Sequence, residues 1–209
     1  MSFKSRHATR ALQGAVATLA LVGTGLAQAA VAWDESVSGD LSGDGLAPSF
    51  AALVAGSNTL RGTTGRPAGG AIDRDYLHIS VPAGHALQSL WVRTGTTTIG
   101  GGSFVGLMSG SQFTIPPSTF TADGMLGFTL FGPDQLDTDL FDVMSLPSLG
   151  SSGFEVPLPA GDYSLWVQET GTGSVSYALE FTVVVVPEAP TVLTMLGGLA
   201  LLAGALRRR

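Results

Sequence analysis

The chain has 209 residues, no cysteine and a formal charge of −6. Without cysteine it has no disulfide framework, no thiol nucleophile and no cysteine metal site. The charge is segregated. Lys4, Arg6 and Arg10 lie at one end and Arg207, Arg208 and Arg209 at the other, so fifteen acids between Asp34 and Glu180 face only Arg61, Arg66, Arg74 and Arg93. A middle section carrying −11 excludes charge-driven binding to nucleic acid or to an anionic membrane surface.

In chain order, the first ten residues are basic and "ALQGAVATLALVGTGLA" follows as an apolar stretch. Small residues come next, at Ala27–Ala29 and Ala30–Ala32. A basic start, a short apolar core and an A-x-A site predict a secretory signal peptide over 1–29. Cleavage is expected after Ala29, with the site after Ala32 as second choice. The body, 30–186, is the size of one domain.

That body reads as strands, by alternation of apolar and polar residues. Leu77, Ile79 and Val81 share one face of "DYLHISV". "SLWVR", "FEVPL" and "YSLWVQ" alternate in the same way. The longest case is "SVSYALEFTVVV", where Val175, Tyr177, Leu179, Phe181, Val183 and Val185 form one apolar face. "FAALV", "NTLRGTT", "SFVGLM", "QFTI" and "LGFTLF" are shorter candidates, and the breaks include "PAGH" at 82–85 and "PAGD" at 159–162. About nine short strands predict an all-β fold, an antiparallel β-sandwich of jelly-roll-like kind. One segment differs. "DQLDTDLFDVMSL" places Leu136, Leu140, Phe141 and Met144 at helical spacing, which predicts one short helix over an end of the sandwich. "VPAGHALQSLWVRTGTT" and "LPAGDYSLWVQETGTG" echo each other without marking a duplication.

The residues from Thr191 to Leu206 carry no charge and precede three arginines. A helix of that length spans about 24 Å, against about 30 Å of hydrocarbon. It predicts a marginal transmembrane helix over 191–206, with the arginines held in the cytoplasm and the body outside.

Val186, Pro187, Glu188 and Pro190, the apolar helix, and Arg207, Arg208 and Arg209 together resemble the PEP-CTERM sorting signal of Gram-negative bacteria. The usual V-P-E-P is here Val186-Pro187-Glu188-Ala189-Pro190, with the second proline displaced by one residue. The body, through "WDESVSGDLSG" and "LPAGDYSLWVQETGTGSVSYALEFTV", is similar to bacterial pre-peptidase C-terminal domains. The resemblance implies an exosortase as processing partner and cleavage close to Glu188. It implies a path from an inner-membrane-tethered intermediate to the cell surface or matrix, alongside exopolysaccharide.

For chemistry the residues offer little. Of the three histidines, His7 leaves with the signal peptide, and His78 and His85 form no H-x-x-H pair. No G-x-S-x-G occurs, and Gly100–Gly102 has no following lysine. The chain reads as a non-enzyme with no required cofactor. Asp34, Asp40 and Asp44 in "WDESVSGDLSGDG" are the better of two candidate sites for calcium, which needs six to eight oxygen ligands. Neither acidic stretch matches a D-x-D-x-D-G loop, so a chelator is expected to shift melting negligibly. Trp91 and Trp166 occupy equivalent places in the two S-L-W-V strands, out of phase with the aliphatic face. They would stack sugar rings if that face were open, but a covering loop or helix is the preferred reading. Asp73 and Asp75 flank Arg74 in "IDRDY", which reads as a turn with a weak local ion pair.

Overall fold

The computed structural model describes residues 29–66, 70–119 and 121–186. The signal segment over 1–28, the sorting residues Pro187, Glu188, Pro190, Arg207, Arg208 and Arg209, and the helix expected at 191–206 lie outside them. Among the described residues, no helix is long and apolar enough to cross a membrane.

The body is all-β. Its strands are β1 (Ala30–Asp34), β2 (Ser49–Ala52), β3 (Gly56–Gly65), β4 (Asp75–Val92), β5 (Ser103–Ser109), β6 (Gly127–Phe131), β7 (Leu158–Glu169) and β8 (Ser174–Val185). They form one sheet in the order β1-β3-β8-β4-β7-β5-β6, with β2 paired to β4 off that path. The sheet is mixed rather than purely antiparallel, because β1 runs parallel to β3 and β2 parallel to β4. Both are short strands near the start of the body, and each reaches its partner by a crossover instead of a hairpin.

The sheet folds over on itself at β4. The first half of β4 pairs with β7 and the second half with β8. The bend is the segment Pro82–His85, which stands out between Val81, paired to Gly161, and Ala86, paired to Pro159. Gly84 takes φ +74° there, a conformation that a side chain would strain. The expected "PAGH" turn is therefore a bulge inside one continuous strand, and "PAGD" likewise lies within β7. The two echoing segments are cross-strand neighbours at the same corner. A bulge bends a strand without ending it, which is how one strand serves both halves.

Folding over buries the predicted apolar faces against each other. Leu60, Ile79, Leu87, Leu90, Val105, Leu107, Leu165, Leu179 and Phe181 share one core, each at most 1 % exposed. Strands β3 and β7, distant in the sheet order, touch across it.

Two predicted strands are not strands. In "FEVPL" only Leu158 enters a strand, and Phe154 packs edge-on against Phe141 at 5.0 Å. "QFTI" lies outside the sheet, where Phe113 and Ile115 belong to a second apolar cluster with Tyr76, Met108, Met125 and Trp166. The predicted helix resolves into a 3-10 turn (Pro133–Gln135), a break, and α2 (Phe141–Met144). Leu140, Phe141 and Met144 are buried as expected, whereas Leu136 is exposed. A further one-turn helix, α1 (Glu35–Ser38), follows β1.

Gly127 lets α2 sit against β6, since a Cβ at that position would collide with the Met144 carbonyl. Gly127→Ala should therefore destabilise the body by about 1–3 kcal/mol, as overpacking does. Urea denaturation reads this directly, and an unchanged midpoint would mean that α2 yields freely.

Candidate metal centre

The acids divide by position. Asp34 caps α1, accepting from Ser36 N at 3.0 Å and from the Ser36 hydroxyl. Those bonds, led by the hydroxyl, hold its carboxyl below the usual range. Asp44 accepts from Leu46 N at 2.9 Å within its own turn. Asp40 alone of the three predicted ligands joins other acids. Its partners are Glu35 and Asp75, with one carboxylate oxygen from each of the three lying within 4.8 Å of the others.

Each member comes from a different piece of backbone. Glu35 opens α1, held beside β3 by the parallel pairing of β1. Its Oε2 accepts from Thr63 N at 2.7 Å and Thr63 Oγ1 at 3.2 Å, and its Oε1 from Leu41 N at 3.2 Å. Asp40 is exposed in the following loop. Asp75 is the first residue of β4, in phase with Leu77, Ile79 and Val81, so its side chain turns inward with theirs. It is only 1 % exposed, and neither carboxylate oxygen has a hydrogen-bond partner. The Tyr177 hydroxyl, on the inner face of β8, is buried beside Asp75, close enough to act on its carboxyl but without a well-formed hydrogen bond to it.

Gly62 makes room for the group. A Cβ there would lie 2.5 Å from Tyr177 Oη and 2.9 Å from Glu35 Cδ. Pinning the other side, Asp73 N donates to Gly65 O at 2.6 Å, and Thr64 Oγ1 donates to Asp73 O at 2.9 Å. An open groove of about 520 Å³ adjoins the cluster, lined among others by Glu35, Arg61, Gly62, Thr63 and Tyr177.

The electrostatics follow from burial and like charge. Burial pushes Asp75 up to about 9, opposed by the neighbouring Tyr177 hydroxyl and reinforced by the charges of Glu35, Asp73 and Asp40. Asp73 rises to about 6 through burial, then Asp40 and Glu35. Burial also raises Glu35, partly offset by its hydrogen bonds from Thr63 and Leu41. Burial, then the charge of Asp75, drives Tyr177 well above its ordinary value. Arg74, expected to pair locally with its flanking aspartates, instead donates from Nε to Gln168 Oε1 at 2.7 Å. Among the described residues no ion pair reaches these acids. "IDRDY" is thus a strand start that buries an acid, not a solvated turn.

The tryptophans do not share a platform. Trp166 is buried under Phe113, Ala122 and Met125, stacked on Tyr76 at 5.7 Å and edge-on to Phe104 at 4.8 Å. The cover is a loop. Trp91 lies in the other half of the sheet, half-buried, with Nε1 donating to Ser89 Oγ at 2.7 Å and the Arg93 guanidinium 5.1 Å over its ring. His78 contacts Asp162 at 3.1 Å and His85 contacts the Ala83 carbonyl, both away from the acids.

Comparison of the chain with family models, curated proteins and solved structures finds no match.

Proposed function

We propose that the chain is an exported structural protein of the cell surface or extracellular matrix. It is sorted through a C-terminal signal of the PEP-CTERM kind and works beside exopolysaccharide in a Gram-negative bacterium. In this reading the folded-over sheet is a jelly-roll-like sandwich, with its parallel contacts confined to β1 and β2. The carrying observation is where the body ends. β8, a central strand, runs to Val185, and Val186 N donates to Gly84 O at 2.8 Å. The next residue is Pro187, which has no N–H to continue the ladder. Among the described residues, the last backbone hydrogen bond of the body is thus made by Val186, the first residue of the proposed motif. That supports an extended, accessible link directly behind the body.

The test is expression with and without an exosortase, followed by fractionation. With the enzyme, the body should lose 191–209 and leave the inner membrane. Without it, the full-length chain should accumulate there. Glu188→Ala should reproduce the enzyme-free pattern, because it removes the only charge in the link. Surface protein that keeps its tail despite an active exosortase would overturn the sorting reading. The segment would then be an ordinary anchor.

A further inference from the structure

We infer that Glu35, Asp40 and Asp75 bind one calcium ion, which clips the segment after β1 onto the start of β4. The argument begins with Asp75. A buried carboxylate with two unpartnered oxygens is costly unless a cation or a hydrogen-bond donor meets it. Among the described residues no cation pairs with it, and the Tyr177 hydroxyl beside it makes no well-formed bond to either oxygen. Two more carboxylates converge on it, and all three offer an oxygen within 4.8 Å of the others. Calcium ligands sit at about 2.3–2.6 Å, so donors on opposite sides of one ion are up to about 5 Å apart. Small side-chain adjustments bring one ion within reach of all three.

The donor chemistry selects the ion. Every candidate ligand is oxygen, with no histidine, cysteine or methionine in the group, which favours a hard cation over zinc or copper. Calcium is preferred to magnesium because carboxylates from three separate segments, some usable through both oxygens, suit its variable shell. Magnesium demands a near-ideal octahedron. Glu35 keeps free lone pairs after accepting its three hydrogen bonds. The groove beside Glu35 admits water for the remaining positions. The ion would tie residues 35–40, next to the expected mature N-terminus, to β4. It would also offset the like charges gathered around Asp75.

Uptake must displace protons, since metal ligands bind as carboxylates. The groups facing Asp75 are Glu35, Asp40, Asp73 and Tyr177, four potential anions.

The experiment is calorimetric titration of the full chain in detergent, after chelator treatment and exchange, with calcium chloride and separately with magnesium chloride. Expected is one calcium per chain and weaker magnesium binding. Asp75→Asn, close in shape to the protonated acid but with no proton to take up on folding, should melt no lower than the metal-free wild type and bind calcium at least about tenfold more weakly. Glu35→Gln should weaken binding, while Asp44→Asn should leave it intact. No calcium binding, undiminished binding in Asp75→Asn, equal loss in Asp44→Asn, or magnesium binding as tight as calcium would each overturn the assignment. Should Asp75→Asn fail to fold, the other titrations decide: undiminished calcium binding in Glu35→Gln overturns it. The result does not depend on the sorting reading, because no processing enzyme is involved.

Discussion

Phe181→Ala should lower the stability of the 30–186 body by about 3–5 kcal/mol, the range for removing a fully buried aromatic ring. Phe181 has no exposed surface. It lies on β8, the strand between β3 and β4, opposite Asn58 on one side and Leu90 on the other. Its ring fills the middle of the folded-over sheet, where packed strands on both sides limit collapse into the cavity. Thr182, the next residue, faces away and is only half-buried, so Thr182→Ala should change stability by less than about 0.5 kcal/mol. Thermal melting of 30–186 compares the two. A melting point unchanged by Phe181→Ala would mean that the strand presents its other face to the core.

Raising the pH should destabilise the metal-free body, the reverse of ordinary carboxylate behaviour. Asp75 titrates near 3.8 when unfolded and is pushed up to about 9 when folded. Between those values the folded chain holds one proton more than the unfolded chain. Stability is therefore greatest below about pH 4, falls as pH rises towards 9, and levels off above it. One proton of difference sets a slope of up to about 1.4 kcal/mol per pH unit. Asp73, raised to about 6, adds a contribution of the same sign between about pH 4 and 6. Asp34 and Asp162 are lowered and act in the opposite sense, but both are fully exposed and their effect is small. Urea midpoints in excess chelator should be lower at pH 8 than at pH 5, and Asp75→Asn should flatten the difference. Calcium should restore stability at pH 8, where the cluster is most ready to bind it. A midpoint that rises with pH in chelator would contradict the burial of Asp75 as an unpaired acid.

Most strands were legible because alternation is a local property. In β8 the predicted inner residues from Val175 to Val183 are all buried, though Ala178 on the other face is buried too and Val185, expected inside, is exposed. Local pattern failed where another element used it. Phe154 alternates with Val156, yet its ring serves α2 and not a ladder. Pro82 and Gly84 signal a turn, and only the pairing of β4 with both β7 and β8 makes that turn a bulge. β1 is five small or mixed residues beside the expected cleavage site, so nothing in its own composition announces a strand. The acidic site was half legible. Asp75 is in phase with Leu77, Ile79 and Val81, and Tyr177 with Leu179 and Phe181, so both inward positions could be read from parity. That Glu35 and Asp40 meet them depends on the parallel docking of β1 against β3. This is a contact across some forty residues that no spacing rule encodes. Asp34 and Asp44, nearer in sequence to Asp40, are drawn away by their own turns.

In the proposed function a folded body, 30–186, lies between two segments that direct it and are then removed. Intact-mass spectrometry of the protein recovered from the surface of a producing cell with an active exosortase is the direct test. The expected mass is that of a chain that begins at Ala30 and ends close to Glu188. A surface-localised chain whose mass still includes 191–209 would contradict it.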